Sequence, residues 1–174
     1  MKTDGPVPRR QLRARRRRER REVTRREVHV DLERDVFGAG HEARRAALAL
    51  GVRGPLSSVI VGDNHILGPI SGEGVFLGPI SGEGVFRISE NDFQQISTDA
   101  MVVFESTMSG QITDNTFRSP IGGDGLSLIG NAETATIAVT GNSFSEVGGT
   151  SIMAAEGSAS YTMTNNTIGD SGSA

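Results

Sequence analysis

Residues 109–168, SGQITDNTFRSPIGGDGLSLIGNAETATIAVTGNSFSEVGGTSIMAAEGSASYTMTNNTI, repeat one short pattern around an asparagine. An apolar residue stands three positions before the asparagine, and another stands two positions after it. Over the whole chain the pattern occurs five times, at intervals of 27, 24, 27 and 24 residues, around Asn64, Asn91, Asn115, Asn142 and Asn166. A fixed period of this size predicts stacked structural repeats.

The spacing within each repeat predicts strands joined at a corner. The positions five and three before the asparagine are two residues apart, as on the buried face of a strand. The next apolar position, two after the asparagine, follows five residues later, and a straight strand would place it on the opposite face, so the chain must turn a corner. A second strand follows in each repeat, because residues 99–104, 124–129 and 150–155 align without gaps. No segment between strands has the pattern of a crossover helix. The sequence therefore predicts an all-β fold, a right-handed parallel β-helix of about four to five turns.

Residues 109–168 resemble the parallel β-helix repeats of the pectin-lyase-like superfamily. In those repeats a hydrophobic-x-x-Asn-x-hydrophobic turn alternates with a Gly-hydrophobic-x-hydrophobic strand, and the resemblance covers about residues 56–170. It implies the same fold and a secreted or cell-surface bacterial location. It does not specify an activity, because the superfamily includes lyases, hydrolases, epimerases, adhesin passengers and non-catalytic binding proteins.

The decapeptide LGPISGEGVF occurs twice in tandem, at residues 67–76 and 77–86. The first copy is predicted to form the second strand of its turn, because Glu73 follows its asparagine by nine residues, as Asp124 does. The second copy is predicted to be a loop that leads into the next strand at Phe86. Deleting one copy would shorten the interval from Asn64 to Asn91 to 17 residues, too few to close a turn. The alternative is an inserted copy that loops out of the fold.

The balance of charge divides the chain after residue 54. Residues 1–54 carry sixteen Lys or Arg and eight Asp or Glu, a balance of +8, whereas residues 55–174 carry two and thirteen, a balance of -11. We predict an Arg-rich leader over residues 1–54 and the β-helix over 55–174, a fragment of a longer solenoid because solenoid ends need caps. Val28, Leu32 and Val36 share a helical face, so a short helix around residues 11–37 is one interpretation of the leader and disorder is another.

The leader allows three functional interpretations. Eleven of the 18 residues from Arg9 to Arg26 are arginine, and clustered guanidinium groups neutralise phosphates, so residues 9–26 are one candidate for nucleic-acid contact. Against this, the stretch has no aromatic residue for base stacking. The alternatives are a passive leader and translation from a start upstream of the true one. No cysteine, no apolar run of membrane-spanning length and no signal peptide is visible in the sequence.

Two columns of acidic residues are predicted, because stacked coils bring equivalent positions to about 4.8 Å from one another. Carboxylates at this distance repel each other and could share Ca²⁺, which prefers oxygen ligands, or form a glycosidase-like pair. The structural alternative is that acids are normal residues at exposed corners. The members are Asp63, Glu90 and Asp114 before the asparagines, and Glu73, Asp99 and Asp124 at the start of the second strands.

Other polar positions are predicted to be structural. Stacked side-chain amides hydrogen-bond along a solenoid, so we predict that the five asparagines form a ladder. His65 is the single histidine of residues 55–174 and is predicted to be a solvated turn residue without an acid–base partner. The sequence Gly-Gly-Asp-Gly at residues 122–125 is similar to a calcium-binding nonapeptide, but it occurs once where that motif needs tandem copies.

No catalytic residue is predicted, and no cofactor apart from the calcium considered above. Residues 55–174 contain only Arg87 and Arg118 as fixed cations, lack the paired-aspartate and Gly-His-Gly signatures of polygalacturonases, and contain no tryptophan. We predict a non-catalytic structural or binding segment, adhesin-like or carbohydrate-binding, of a secreted or cell-surface protein. Its predicted partners are polysaccharide or another surface protein. The alternative is a truncated polysaccharide lyase, glycoside hydrolase or epimerase of the same superfamily.

Overall fold

The computed structural model describes residues 26–30, 36–37 and 46–169, and the regular elements of these residues are all β-strands. This part of the chain contains no helix long and apolar enough to cross a membrane. In chain order the strands are β1 (Arg26–Val30), β2 (Val36–Phe37), β3 (Ala46–Gly62), β4 (His65–Ile70), β5 (Glu73–Ser89), β6 (Asp92–Ile96), β7 (Met101–Phe104), β8 (Ser109–Thr113), β9 (Thr116–Ile121), β10 (Leu126–Ile129), β11 (Thr136–Thr140), β12 (Ser143–Val147), β13 (Ile152–Ala155), β14 (Ser160–Thr164) and β15 (Thr167–Ile168).

The strands wind into a right-handed parallel β-helix of about 4 turns, which confirms the predicted fold. Each coil begins at its asparagine and contributes a first, a second and a third strand, all parallel to their equivalents in the next coil. The first strands β4, β6, β9, β12 and β15 form a six-stranded sheet with β2. The second and third strands belong to a nine-stranded sheet, in which β5 runs without a break through both positions.

The core fills the inside of the coil with the inward-facing residues of all three strands. On two second strands Met101, Val103, Leu126 and Leu128 point into the core and have no exposed surface. Alternation along each strand therefore decides which side chains face the inside of the coil. On the second strands the outward residues Val102 and Ser127 are also buried.

A column of aromatic rings runs through the core under the first strands. Phe93, Phe117 and Phe144 are paired in register, two residues after their asparagines. Their ring centroids are 4.9 and 4.5 Å apart, and successive rings are within 3° of parallel. The three rings are at most 1% exposed. Ring stacking therefore holds these three coils together in addition to the hydrogen bonds between their strands.

Substituting the central ring of this stack is expected to destabilise the fold measurably. Phe117→Leu keeps an apolar side chain but removes two ring contacts and leaves a small void, which costs about 1–2 kcal/mol of unfolding free energy. Urea denaturation followed by circular dichroism measures the loss. Val85→Ala is the control, because Val85 is 42% exposed and its truncation is expected to change stability by less than about 0.5 kcal/mol. Equal losses in the two variants would contradict the role of the stack.

Two insertions explain why the coils alternate between 27 and 24 residues. One extra residue bulges each longer coil at the end of its first strand, near Pro69 and Pro120, where the pairing register shifts. The other insertion adds two residues at the corner between the second and third strands, since four residues separate β7 from β8 and six separate β10 from β11. The longer coils therefore project beyond the shorter coil between them.

The two decapeptides present opposite faces to the core. Val75 is 1% exposed and its counterpart Val85 is 42% exposed, whereas Phe86 is fully buried and its counterpart Phe76 is only half-buried. Different roles for identical sequences are therefore confirmed. The loop prediction is wrong, because the whole second copy lies within β5 and pairs with β3. Bulges in that pairing supply the odd step that reverses the faces.

Two short strands occupy part of the N-terminal segment. β1 pairs with β3 and β2 pairs with β4, both in parallel. The helix prediction is therefore wrong for Arg26–Val30 and Val36–Phe37, because Val28 and Val30 follow the two-residue period of a strand and find partners in the solenoid. The rest of the predicted helix lies outside the described residues. The predicted domain boundary after residue 54 falls inside β3.

Candidate functional site

The five asparagines form a hydrogen-bonded ladder that links successive coils. The Oδ1 atom of Asn115 accepts hydrogen bonds from the backbone nitrogen and the Nδ2 atom of Asn91, at 3.1 and 2.9 Å. The Nδ2 atom of Asn115 donates to the carbonyl oxygens of Ile88 and Thr113, both at 3.0 Å. The same amide-to-amide step recurs from Asn64 to Asn166. Because these side-chain amides are already hydrogen-bonded to the backbone and to one another, the ladder is structural.

The corner lies one residue before each asparagine. The five corner residues have positive φ angles between 55° and 72°, a left-handed conformation that supplies the odd step in the apolar pattern. The acids among them are exposed. Gly141 interrupts the acidic column, and a Cβ atom there would lie 2.4 Å from Oδ1 of Asp114, so a side chain would require the Asp114 carboxylate to move. The corner residues are Asp63, Glu90, Asp114, Gly141 and Asn165.

The acids that open the second strands cap the backbone of the following coil. Asp99 Oδ1 accepts a hydrogen bond from the Asp124 nitrogen at 2.9 Å, and Asp124 Oδ1 accepts one from the Thr150 nitrogen at 2.7 Å. The hydroxyl of Ser127, which has no exposed surface, lies 2.8 Å from Asp99 Oδ2 and 3.2 Å from Asp124 Oδ2. All four carboxylate oxygens thus lie within hydrogen-bond distance of a donor in the fold, and one oxygen of each aspartate shares the Ser127 hydroxyl.

The outer face of the second strands carries an apolar strip next to this carboxylate cluster. Phe76 and Phe104 face outward, since their strand neighbours Val75 and Val103 point into the core. Their ring centroids are 6.1 Å apart with the rings tilted by 34°. Val102 also faces outward but is only 6% exposed. Sequence reasoning missed this strip, although the register that turns Val75 and Val103 into the core also turns Phe76 and Phe104 outward.

Residues 73–174 match the family model described as "right handed beta helix region". The match covers more than half of the chain. The chain belongs to the right-handed β-helix family. Comparisons with curated proteins and with solved structures gave no significant match. The family fixes the coiled architecture and is consistent with the resemblance to the pectin-lyase-like superfamily.

Calcium binding in this β-helix stays a prediction. Within residues 46–169 no three His, Cys, Asp or Glu side chains come together in a group that could hold a metal ion. The cluster at the second strands offers two carboxylates and a hydroxyl, and the fold already uses these atoms to join coils. The predicted ligands were Asp63, Glu90, Asp114, Glu73, Asp99 and Asp124.

An ion-pair row crosses the first strands of the β-helix. Asp92 accepts a hydrogen bond from Nε of Arg118 at 2.8 Å through Oδ1, and its Oδ2 contacts Nη2 of the same guanidinium. His65 Nδ1 lies 3.7 Å from Asp92 Oδ2, so a carboxylate does stand beside His65, although the distance is too long for a hydrogen bond and the His65 side chain is 54% exposed, as predicted for a solvated residue. His65 and Asp92 both directly follow an asparagine and are paired in register. Aligning the repeats on their asparagines could therefore have predicted that the two residues are neighbours.

Proposed function

We propose that this β-helix is a non-catalytic binding module of a secreted or cell-surface protein, and that it binds a glycan along the outer face of its second strands. The observation that carries the proposal is the outward-facing pair Phe76 and Phe104, with ring centroids 6.1 Å apart. Binding sites combine apolar contact area with a few fixed polar groups. The aromatic pair supplies the area. The carboxylates of Asp99 and Asp124 supply the polar groups, because a carboxylate oxygen that accepts one hydrogen bond from the fold can accept a second from a ligand.

The arrangement of the strip suits an extended ligand. Asp99 lies just before β7, Phe104 is its last residue, and consecutive strand residues are about 3.3 Å apart, so polar and aromatic groups are separated by roughly 16 Å along one strand. A chain of sugar rings presents both hydroxyl groups and apolar ring faces. Such a chain would place hydroxyls near Asp99 and a ring face against the phenylalanines.

The carboxylates favour binding over turnover. A general acid or base must be free to exchange a proton with the substrate. Asp99 and Asp124 instead accept hydrogen bonds from the backbone of the next coil and from Ser127. The alternative activity, cleavage of a polysaccharide, would show itself as new reducing ends or as ultraviolet absorbance of unsaturated products.

Isothermal titration calorimetry against neutral hexasaccharides of glucose, xylose and mannose, with hexagalacturonate as an anionic comparison, tests the proposal. We expect the double substitution Phe76→Ala and Phe104→Ala to weaken the best ligand by at least about tenfold, as the loss of an aromatic anchor pair does. Val85→Ala, an outward-facing apolar residue on a third strand, is expected to leave affinity unchanged within about twofold.

Two results would overturn this function. No binding to any hexasaccharide in the panel would remove the glycan as the ligand. Release of reducing ends or unsaturated products, at a rate abolished by Asp99→Asn, would show an enzyme in place of a binding module. The thermal unfolding of each variant is measured alongside, so that lost binding is separated from lost structure.

A further inference from the structure

A groove lies between the two bulges of the longer coils. Pro69 and Pro120 stand exposed on its two sides, and Gln95, Ile96 and Ser97 of the shorter coil form its floor. The groove has a volume of about 530 Å³ and is open to solvent. The two prolines are two coils apart, about 9.6 Å at the usual strand spacing, so one extended chain fits between them and a second does not.

The floor of this short-coil groove offers polar side chains over an apolar base. Gln95 and Ser97 are exposed, whereas Ile96 between them is 1% exposed. Gln95 has a φ of 59°, which bends the short coil inward at the position where each longer coil has its extra residue. The amide and the hydroxyl therefore lie at the bottom of a channel with a proline ring on either side.

The backbone of the groove is already hydrogen-bonded. The Ser97 nitrogen donates to the Ile70 carbonyl oxygen at 2.8 Å, and the Gly122 nitrogen donates to the Ile96 carbonyl oxygen at 2.8 Å. An extended peptide that joined as an extra strand would need such groups to be unpaired. The ligand must therefore be recognised by side-chain hydroxyl and amide groups, which match the hydroxyls of a sugar.

The residues that line the groove are uncharged, which suits a neutral ligand. Residues 55–174 carry a balance of -11 and contain two fixed cations, Arg87 and Arg118. Arg118, two residues before Pro120 on β9, is paired with Asp92 through two of its nitrogens. A polyanion would therefore meet net repulsion from this part of the chain.

We infer that the short-coil groove is a second contact site, at which a single chain of a neutral glycan crosses the solenoid. Ser97 is followed in the same coil by Asp99 and β7, so a ligand leaving the groove continues onto the outer face with Phe104. The inference rests on the proposed function and deepens it, because it fixes the direction of the chain along the coil, the neutral class of glycan and the one-chain width.

Filling the groove tests the inference with the same neutral and anionic hexasaccharides. We expect Ser97→Phe, which places a ring on the floor, to weaken the best neutral hexasaccharide by at least about tenfold. Gln95→Gly, which keeps a residue suited to positive φ and removes the amide, is expected to weaken it about fivefold. Gln111→Phe is the control, since Gln111 is exposed on the third strand β8, away from the groove, and binding should not change.

The outcomes separate the two proposals. Weaker glycan binding by Ser97→Phe and Gln95→Gly, together with unchanged binding by Gln111→Phe, supports the groove as a contact site. Wild-type affinity in both groove variants, together with loss in the Phe76 and Phe104 variant, overturns the groove and leaves the proposed function standing. Tighter binding of hexagalacturonate than of every neutral hexasaccharide overturns the neutral class. Absence of any glycan binding overturns both. Should Ser97→Phe melt early, the Gln95→Gly titration alone decides.

Discussion

Deleting ten residues from this protein is expected to damage the fold more than deleting twenty-four. Removing residues 77–86 leaves one copy of the decapeptide for two strands. Phe76 would have to occupy both its own outward position in the second strand and the buried position that Phe86 holds in the third strand. Val75 and Leu77, which pair with Met101 and Val103 in the next coil, would be lost from register or from the chain. We expect this variant to show no cooperative unfolding transition.

Removing residues 91–114 deletes one whole coil and joins Glu90 to Asn115, which are neighbours in the repeat frame. Equivalent residues then meet again, since β4 can pair with β9 as it now pairs with β6. Because each coil contacts only its neighbours, the shortened solenoid is expected to fold, with a lower but cooperative unfolding transition. Far-ultraviolet circular dichroism during thermal melting compares the two deletions.

Contrary results would be informative for the decapeptide. A ten-residue deletion that melts cooperatively near the wild-type temperature would mean that one copy is dispensable, as expected for an inserted loop. The present structure argues against a loop, since Ile80 in the middle of the second copy has no exposed surface. Loss of cooperativity in the coil deletion instead would mean that two long coils cannot stack directly.

Asn115→Ala is expected to cost about 3–4 kcal/mol of unfolding free energy, a large effect for one small polar side chain. The substitution removes the acceptor of the buried Asn91 nitrogen and the donor to Asn142 Oδ1 and to two carbonyl groups. Buried groups left without partners carry the full desolvation penalty. Urea denaturation at equilibrium measures the loss, provided that the transition stays two-state.

An isosteric variant separates hydrogen bonding from packing. Asn115→Asp keeps the volume and the acceptor but replaces the donor with an oxygen that faces Asn142 Oδ1, 2.9 Å away. We expect it to be at least as destabilising as alanine. A loss below about 1 kcal/mol in Asn115→Asp would show that packing alone explains the ladder. Gln111→Ala, exposed on β8, is the control and should change stability by less than about 0.5 kcal/mol.

The regular part of this fold could be predicted from the sequence because it repeats. The five aligned asparagines predict the coils, the second strands and the phenylalanines that face inward. Each further repeat supports the same pairing of equivalent residues. The alternation of 27 and 24 residues was also visible, but its structural meaning was not. Locating the extra residue at Pro69 requires the strand pairing, since the count alone does not place a bulge.

The candidate site was harder to predict from the sequence, because it depends on how neighbouring coils are offset. Asp92 and Arg118 occupy different positions after their asparagines, so no single column of the alignment contains both. Phe76 and its counterpart Phe86 face opposite sides only because an odd step lies between them in β5. The strand at Arg26–Val30 was missed for a related reason, since its partner in β3 is distant in sequence.

The paired decapeptides show how a solenoid can lengthen in increments smaller than a coil. A segment of glycine, serine and alternating apolar residues is acceptable to the protein with either edge turned inward, so a short tandem duplication need not disrupt the sheet into which it falls. Growth of this kind would leave chains whose coils differ in length by a few residues. In such chains the surface relief, and with it the shape available to a ligand, would change before any side chain had been selected for binding.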